Sequence, residues 1–323
     1  MIPVAQSRGI RPRRRDGLPL RSPCMPSRGQ CGFTLIEMII VIIVSGALSM
    51  VVTQFITAPV DAYVDQSRRA RLVDIAQGAT DRIARDVQQA LPNSIRVGCA
   101  GACVELLHVV TGGRYRAGPP GDELSFLPVD ADTDFDVLGP FSAYADLATS
   151  ASASACIDGT AACVSIYNTG QPGTDAWNSD HIGGAWRPDN LATLSAVTAT
   201  SVAFINTDFA SGAPVFPAAS PDRRFYIVDT PVSYLCDPAA GTLRRYVGYS
   251  LTHPHSAADE HAELVALSNP AEFSLVADRV SACSFAYTAG TPTRNGVLRL
   301  RVAIAEAGEG VTLFEQVHVP NMP

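Results

Sequence analysis

An apolar run extends without interruption over residues 33–60, and Glu37 is its only ionisable side chain. As an α-helix this run would be roughly 42 Å long at about 1.5 Å per residue, whereas the hydrocarbon core of a bilayer is about 30 Å thick. The pattern therefore predicts one membrane-spanning helix, which we place at residues 33–58.

From Pro59 the pattern changes, and apolar residues recur every three or four positions. This spacing puts them on one face, so residues 59–92 are predicted to form an amphipathic helix that packs on a folded domain. Pro59 lacks a backbone donor and predicts a kink or a local break, and Pro92 with Asn93 predicts the end of the helix. The predicted apolar stripe comprises Leu72, Ile75, Ala76, Ala79, Ile83, Val87, Ala90 and Leu91.

Beyond Asn93, short apolar runs alternate with Gly, Pro, Asn and Asp, which is typical of strands and turns. Asp237, Pro238 and Gly241 supply turn geometry between two such runs and predict a β-hairpin. The fold class is therefore α+β, with a long helix on a mainly antiparallel sheet in one β-rich head of residues 93–323. The predicted strands are 103–111, 123–129, 163–168, 201–207, 224–236, 242–251, 280–287, 297–305 and 311–319, with surface loops at 140–160 and 170–190.

Charge is distributed unevenly around the apolar run. All 24 basic residues are arginine, and seven of them precede residue 33 together with one acid, Asp16. The remainder carries 17 arginines against 30 acids, a net charge of −13, which disfavours a nucleic-acid partner. A basic segment before the run, with Asp61 and Asp65 after it, predicts a cytoplasmic N-terminus and a head on the other side of the membrane.

Glu37 does not fit an ordinary signal peptide or a plain anchor. A small residue, Gly32, precedes the apolar run instead of ending it, and the carboxylate lies five residues into it. A carboxylate in hydrocarbon costs at least about 2.5 kcal/mol and is expected to have a partner, yet the run contains no basic side chain. A new amino terminus is the cation that could neutralise Glu37. The alternative is a tolerated Glu37 whose head group reaches the interface.

Residues 32–37, Gly-Phe-Thr-Leu-Ile-Glu, resemble the signature of type IV prepilins. The resemblance implies that a prepilin peptidase removes a basic leader, residues 1–32, by cleaving between Gly32 and Phe33, and then methylates the Phe33 nitrogen. It also implies that Thr34 and Glu37 act in assembly, with Glu37 neutralising the Phe33 ammonium of a neighbouring subunit. Met25 offers an internal start that would give a leader of the usual short length.

Later segments extend the resemblance to the O-type minor pilins of mannose-sensitive haemagglutinin (MSHA) pilus systems. It implies a lollipop-shaped pilin fold and a minor subunit that supports pilus assembly and surface attachment. The implied partners are prepilin peptidase, other major and minor pilins, the inner-membrane assembly platform and the lipid bilayer. The implied location is the bacterial inner membrane with a periplasmic head, and then the pilus. The segments concerned are 67–97, 112–118, 167–178, 232–246 and 313–323.

Two other functions remain open from the sequence. One is a J-like minor pseudopilin of a type II secretion system, which shares a large β head and a similar hairpin. The other belongs to a different class, a plain bitopic membrane binding protein that keeps its N-terminus. No G-x-S-x-G, P-loop or G-x-G-x-x-G motif occurs, so we expect the protein not to be an enzyme.

Six cysteines follow the predicted cleavage site, and their even number on an oxidising side of the membrane favours disulfides over a zinc site. Six cysteines allow 15 connectivities. Proximity suggests Cys99–Cys103, Cys156–Cys163 and Cys236–Cys283, and the last pair closes the longest loop and should contribute most to stability.

Acidic residues alternate over residues 130–136 and resemble the first ligands of a calcium loop. Phe135 and Phe141 stand where such a loop needs glycine and a bidentate glutamate, so a solvated acidic turn is favoured and no cofactor is expected. A second cluster of metal-ligand types lies at residues 253–261, although no metal-binding frame is present there. The calcium candidates are Asp130, Asp132, Asp134 and Asp136.

Overall fold

The computed structural model divides the chain into two compact units, residues 1–61 and 62–323. The first unit, as far as it is described, consists of the N-terminal part of one helix. The second contains the rest of that helix and all the strands described. The structure describes residues 32–127, 130, 132–139, 141, 145–177, 190–206, 216–251, 260–267, 269–291 and 294–319.

Helix α1 (Leu35–Gln88) runs through Pro59 without interruption. Of the two outcomes that we predicted at Pro59, a kink or a local break, the break is wrong. A proline removes one hydrogen bond from the helical ladder, and the turns on both sides of Pro59 keep theirs. The apolar and amphipathic patterns thus occupy a single helix.

The end of α1 comes four residues earlier than Pro92, at Gln88. The Leu91 amide donates to the Leu107 carbonyl at 2.8 Å, and the Val109 amide donates to the Gln89 carbonyl at 2.9 Å. The residues after Gln88 therefore bond to a strand instead of adding another helical turn. This competing pairing cannot be read from the local sequence.

Twelve strands and one further short helix follow α1. The strands are β1 (Arg96–Gly98), β2 (Cys103–Arg114), β3 (Asp134–Asp136), β4 (Cys163–Ser165), β5 (Leu191–Val197), β6 (Ser201–Phe204), β7 (Arg224–Asp237), β8 (Thr242–Val247), β9 (Glu272–Asp278), β10 (Val280–Thr288), β11 (Gly296–Glu306) and β12 (Glu309–Val319). Helix α2 (His261–Leu264) is a single turn.

The strands form two antiparallel sheets, where the sequence predicted one. Nine strands make the larger sheet, with the order β1-β2-β7-β4-β5-β6-β3 and with β8 and β9 added beside β7. The smaller sheet has the order β10-β11-β12. The predicted α+β class is confirmed, and so is the hairpin, in which β7 and β8 pair from Val232 with Val247 to Asp237 with Thr242.

The apolar stripe of α1 forms the main core together with both sheets. Leu72, Ala76, Ala79, Ile83 and Val87 are fully buried, as their spacing predicted. Burying a side chain of the size of Leu or Ile contributes roughly 1.5–3 kcal/mol. The sheet residues of this core are Val104, Leu106, Val232, Tyr234 and Leu243 in the larger sheet, and Leu298, Leu300, Val302, Ile304, Val317 and Val319 in the smaller one.

Most predicted strands are present, but 123–129 is wrong for the residues described, because 122–127 form no strand. Its amides bond elsewhere: the Ser125 amide donates to Asp132 Oδ2 at 2.6 Å, and the Leu124 amide donates to the Arg116 carbonyl at 2.9 Å. Leu124 and Phe126 pack in a second, aromatic core instead, whereas Leu127 is exposed. The strands that the sequence did not predict are β1, β3, β5 and β9.

A buried polar contact fixes α1 against the larger sheet. Asp86 is 6% exposed, and its Oδ2 accepts hydrogen bonds from Tyr234 Oη at 2.6 Å and Arg245 Nε at 2.5 Å. A buried carboxylate is tolerated only when its lone pairs are occupied in this way. Asp86 therefore sets which turn of the helix faces β7 and β8.

Three disulfides join the six cysteines in the pairs that proximity suggested. Their Cα atoms lie 5.4 Å apart in Cys99–Cys103, 5.1 Å in Cys156–Cys163 and 6.2 Å in Cys236–Cys283. Cys236 belongs to β7 and Cys283 to β10, so this third disulfide links the two sheets.

Replacement of Asp86 by asparagine should lower the free energy of unfolding by about 3 kcal/mol, because it leaves the Arg245 guanidinium without its anion. Denaturant unfolding of the full chain in detergent measures this loss. Asp81→Asn is the matched control, since Asp81 is exposed on the same helix. Equal stability of the two variants would contradict the role of Asp86.

Removal of the three disulfides should cost stability in the order of loop length. Replacing Cys236 and Cys283 with serine removes a cross-link over 47 residues and should cost about 4 kcal/mol, whereas the seven-residue Cys156–Cys163 link should contribute about 2.5 kcal/mol. The same unfolding measurement compares the two double variants. A larger loss for the Cys156 and Cys163 pair would reverse the predicted order.

Candidate functional site

The N-terminus of α1 exposes the residues of the predicted processing site. Phe33 is 74% exposed, and a side chain added at Gly32 would meet no described residue within 4 Å. Thr34 directly precedes the helix, and its Oγ1 accepts a hydrogen bond from the Glu37 amide at 3.2 Å. Thr34 thus acts as an N-cap for one of the amides that lack a helical partner. The Gly32–Phe33 bond lies two residues before the first helical residue.

The Thr34 contact brings together the two residues that we predicted to act in assembly. Their spacing, Thr-x-x-Glu, is that of a capping box, in which the third helical residue is acidic. The Glu37 side chain is exposed, and a carboxylate in the first turn is favoured by the partial positive charge of a helix N-terminus. The sequence identified both residues but not the hydrogen bond between them.

The first half of α1 carries apolar side chains that nothing in the described chain covers. Leu35, Ile36, Ile42, Ile43 and Phe55 are each at least 60% exposed. By length and composition α1 could cross a membrane, since its most apolar window has a mean hydropathy of 2.6 and is 0% buried. An exposed apolar surface of this extent in water would be strongly unfavourable, which indicates a lipid or protein environment.

Four hydroxyl side chains lie along one face of this apolar half, four residues apart. Ser49 Oγ donates to the Ser45 carbonyl at 2.7 Å, and Thr53 and Thr57 repeat the contact one and two turns later, at 2.8 and 3.0 Å. Each hydroxyl is thereby satisfied within the helix, as hydrocarbon surroundings require. The face is suited to close approach of another apolar helix.

The acidic residues of the predicted calcium loop do not converge as a set. Asp132 and Asp134 come together with Asp122, which the sequence did not suggest, and a carboxylate oxygen from each lies within 4.8 Å of the others. Asp130 accepts a hydrogen bond from Ser125 Oγ. Asp136 Oδ2 accepts from the Asp122 amide at 3.0 Å. The four-residue candidate set is therefore replaced by an exposed trio that could hold a calcium ion.

The surroundings of this trio disfavour ionisation of Asp122. Partial desolvation and the negative charges of Asp134 and Asp132 raise the pKa of Asp122 above its usual range. The neighbouring Asp136 has a cation beside it, since Arg116 Nε lies 4.0 Å from Asp136 Oδ2. The local charge is thus strongly negative.

Two of the described histidines contact polar side chains, whereas His318 of β12 is exposed. His108 Nδ1 lies 2.8 Å from Asp229 Oδ1, and this contact raises the pKa of His108. His261 Nδ1 lies 2.8 Å from Tyr246 Oη. Glu260, a further member of the second metal-ligand cluster, is the N-cap of α2 and forms a capping box with Glu263. The members at 253–259 lie outside the described residues.

A second buried polar cluster escaped the sequence analysis. Glu105 is 1% exposed, and its carboxylate lies 2.6 Å from Arg96 Nε and accepts from Tyr249 Oη at 2.7 Å. The Arg96 guanidinium stacks 3.7 Å from the centre of the Trp177 ring. An acidic residue within the apolar run of β2 was the available signal. The cluster joins β1, β2 and the loop that carries Trp177.

Comparison with known proteins bears on the N-terminal segment. A family model described as the prokaryotic N-terminal methylation motif matches residues 27–53. No curated protein and no solved structure matches the chain. The match includes Gly32, Phe33, Thr34 and Glu37, and it implies processing by prepilin peptidase and pilin partners. The chain therefore carries the N-terminal methylation motif of type IV prepilins, and with its exposed apolar helix this indicates a membrane-anchored, type IV pilin-like protein.

Proposed function

We propose that the protein is a minor pilin of an MSHA-type type IV pilus, incorporated in the pilus or initiating it. One observation carries the proposal: the methylation motif lies at the start of a helix whose apolar side chains remain exposed in its first half. The finer assignment to MSHA systems is supported by the resemblance of later segments, such as 112–118 and 167–178.

In this proposal the protein acts by assembling into a filament and not by catalysing a reaction. The apolar half of α1 is held in the inner membrane, with the head in the periplasm, until the chain is processed. It then moves into a bundle of similar helices, where protein contacts replace lipid. The Ser45, Ser49, Thr53 and Thr57 face supports this step, because small hydroxyl residues allow close helix packing.

The Glu37 carboxylate must be neutralised when the helix moves from the membrane into the bundle. Within a dry bundle a lone carboxylate is costly, whereas a carboxylate paired with the methylated Phe33 ammonium of a neighbour is neutralised. Thr34 supports this role by fixing the first turn of α1 through the Glu37 amide. Cleavage at Gly32 is thus proposed to create the cation that the helix itself lacks.

Processing should produce a chain that begins at Phe33 and carries one added methyl group. Intact-mass and N-terminal peptide analysis of protein from membranes that contain prepilin peptidase measures both features. Gly32→Ile should abolish cleavage without affecting the fold, because a side chain at residue 32 meets no neighbour within 4 Å. An uncut wild-type N-terminus would favour the plain bitopic membrane protein.

Glu37→Gln should leave cleavage intact and reduce incorporation into pili at least about tenfold, because loss of one partner of a desolvated ion pair costs several kcal/mol. Immunoblots of pili sheared from cells measure incorporation, and Glu37→Asp, which keeps the charge, is the control. Normal incorporation of Glu37→Gln would disprove the pairing role. Recovery of the wild-type protein only with a secretion machine would favour the J-like pseudopilin.

A further inference from the structure

On one face of the smaller sheet, the side chains around Arg299 and Arg301 are exposed. Along β11, Leu298, Leu300 and Val302 are buried in the main core, so Arg299 and Arg301 point to the opposite side. Phe314 of β12 pairs with Arg301 in the sheet and is 75% exposed. We call Arg299, Arg301, Phe314 and Gln316 the basic face.

The composition of the basic face is that of a binding surface. Arginine and aromatic residues are enriched in protein interfaces, and acidic residues are depleted. The Arg301 guanidinium lies 5.5 Å from the centre of the Phe314 ring, which holds both side chains in place. Within the described ranges neither Arg299 nor Arg301 forms an ion pair, whereas Arg69, Arg71 and Arg279 do.

An acidic patch lies at the other end of the larger sheet. It comprises Asp122, Asp130, Asp132, Asp134 and Asp136, around β3. The Arg116 amide, just beyond the end of β2, donates to the Asp136 carbonyl of β3, so the acidic patch lies at the Arg114 end of β2. Strand β10 of the smaller sheet lies against β1, which pairs with the Cys103 end of β2. At about 3.3 Å per residue, the length of β2 separates these two ends by roughly 36 Å. The same head therefore presents opposite charges at two distant places.

We propose that the basic face binds the acidic patch of a second copy of this chain, head to tail. In this contact Arg299 and Arg301, which have no acidic partner within the described ranges, pair with carboxylates that repel one another. The contact therefore lowers the electrostatic energy of both the basic face and the acidic patch. Because the two patches are different surfaces of one molecule, the contact is heterologous and adds copies in one direction instead of closing into a symmetric dimer. This contact goes beyond the proposed function, since it requires neither cleavage at Gly32 nor Glu37.

Sedimentation of the full chain in detergent micelles at about 0.05 M salt tests the contact. The wild-type chain should form dimers and larger species that dissociate at about 0.5 M salt, because screening is then much stronger. Arg299→Gln with Arg301→Gln, and separately Asp122→Asn with Asp134→Asn, should each weaken association about tenfold or more. An equal mixture of the two variants retains one intact face and one intact patch, so it should form a one-to-one dimer and nothing larger.

Matched control variants change the net charge by the same amount at other surfaces. Arg82→Gln with Arg85→Gln, and Asp74→Asn with Asp81→Asn, alter exposed residues of α1 and should associate as the wild type does. A monomeric wild-type chain, undiminished association of the two patch variants, or a mixture that stays monomeric would each overturn the proposal. None of these outcomes depends on methylation of Phe33, so the proposed function is tested independently.

Discussion

The head depends on burial of the stripe that the second half of α1 presents to both sheets. Leu72, Ala76, Ala79, Ile83 and Val87 contribute the helix side of a core whose other residues come from strands far apart in the chain. Each sheet has an inner face of apolar side chains that must be covered, and the second half of α1 covers both. Asp86 fixes the orientation of this contact, because its hydrogen bonds with Tyr234 and Arg245 form in only one alignment of helix and sheet.

The same helix has a different physical task in its first half. There the apolar residues surround the helix instead of forming one stripe, and the hydroxyls of Ser45, Ser49, Thr53 and Thr57 turn back to helical carbonyls. A segment of this kind is stable in lipid and equally stable among similar helices. This dual compatibility is what the proposed transfer from a membrane into a filament requires.

Charge is the feature that distinguishes the surface of the head. The acidic patch around β3 and the basic face of the smaller sheet are each made by residues that the fold brings together from separate segments. Asp122 joins Asp132 and Asp134 because residues 122–127 bond to side chains and loop carbonyls instead of forming a strand. Arg301 joins Phe314 because β11 and β12 pair in an unbroken register over their full length.

The sequence by itself determined the local features of this protein. Periodicity located the membrane-spanning run, the amphipathic stripe and most of the strands, because each of these follows from the spacing of apolar residues along one element. The methylation motif was recognised from residues 32–37 for the same reason, since it is a short contiguous sequence. Cysteine proximity likewise suggested the three pairs that the structure joins.

Tertiary structure decided what depends on distant partners. The helix α1 ends at Gln88 because β2 offers hydrogen bonds to the residues that follow. The described part of the predicted strand 123–129 is not a strand, because the Asp132 carboxylate and the Arg116 carbonyl accept hydrogen bonds from the Ser125 and Leu124 amides. The division into two sheets, the burial of Asp86 and Glu105, and the placing of opposite charges at opposite ends all require contacts across many residues. No local pattern encodes them, because the free energy of each contact depends on which strand the rest of the fold places beside it.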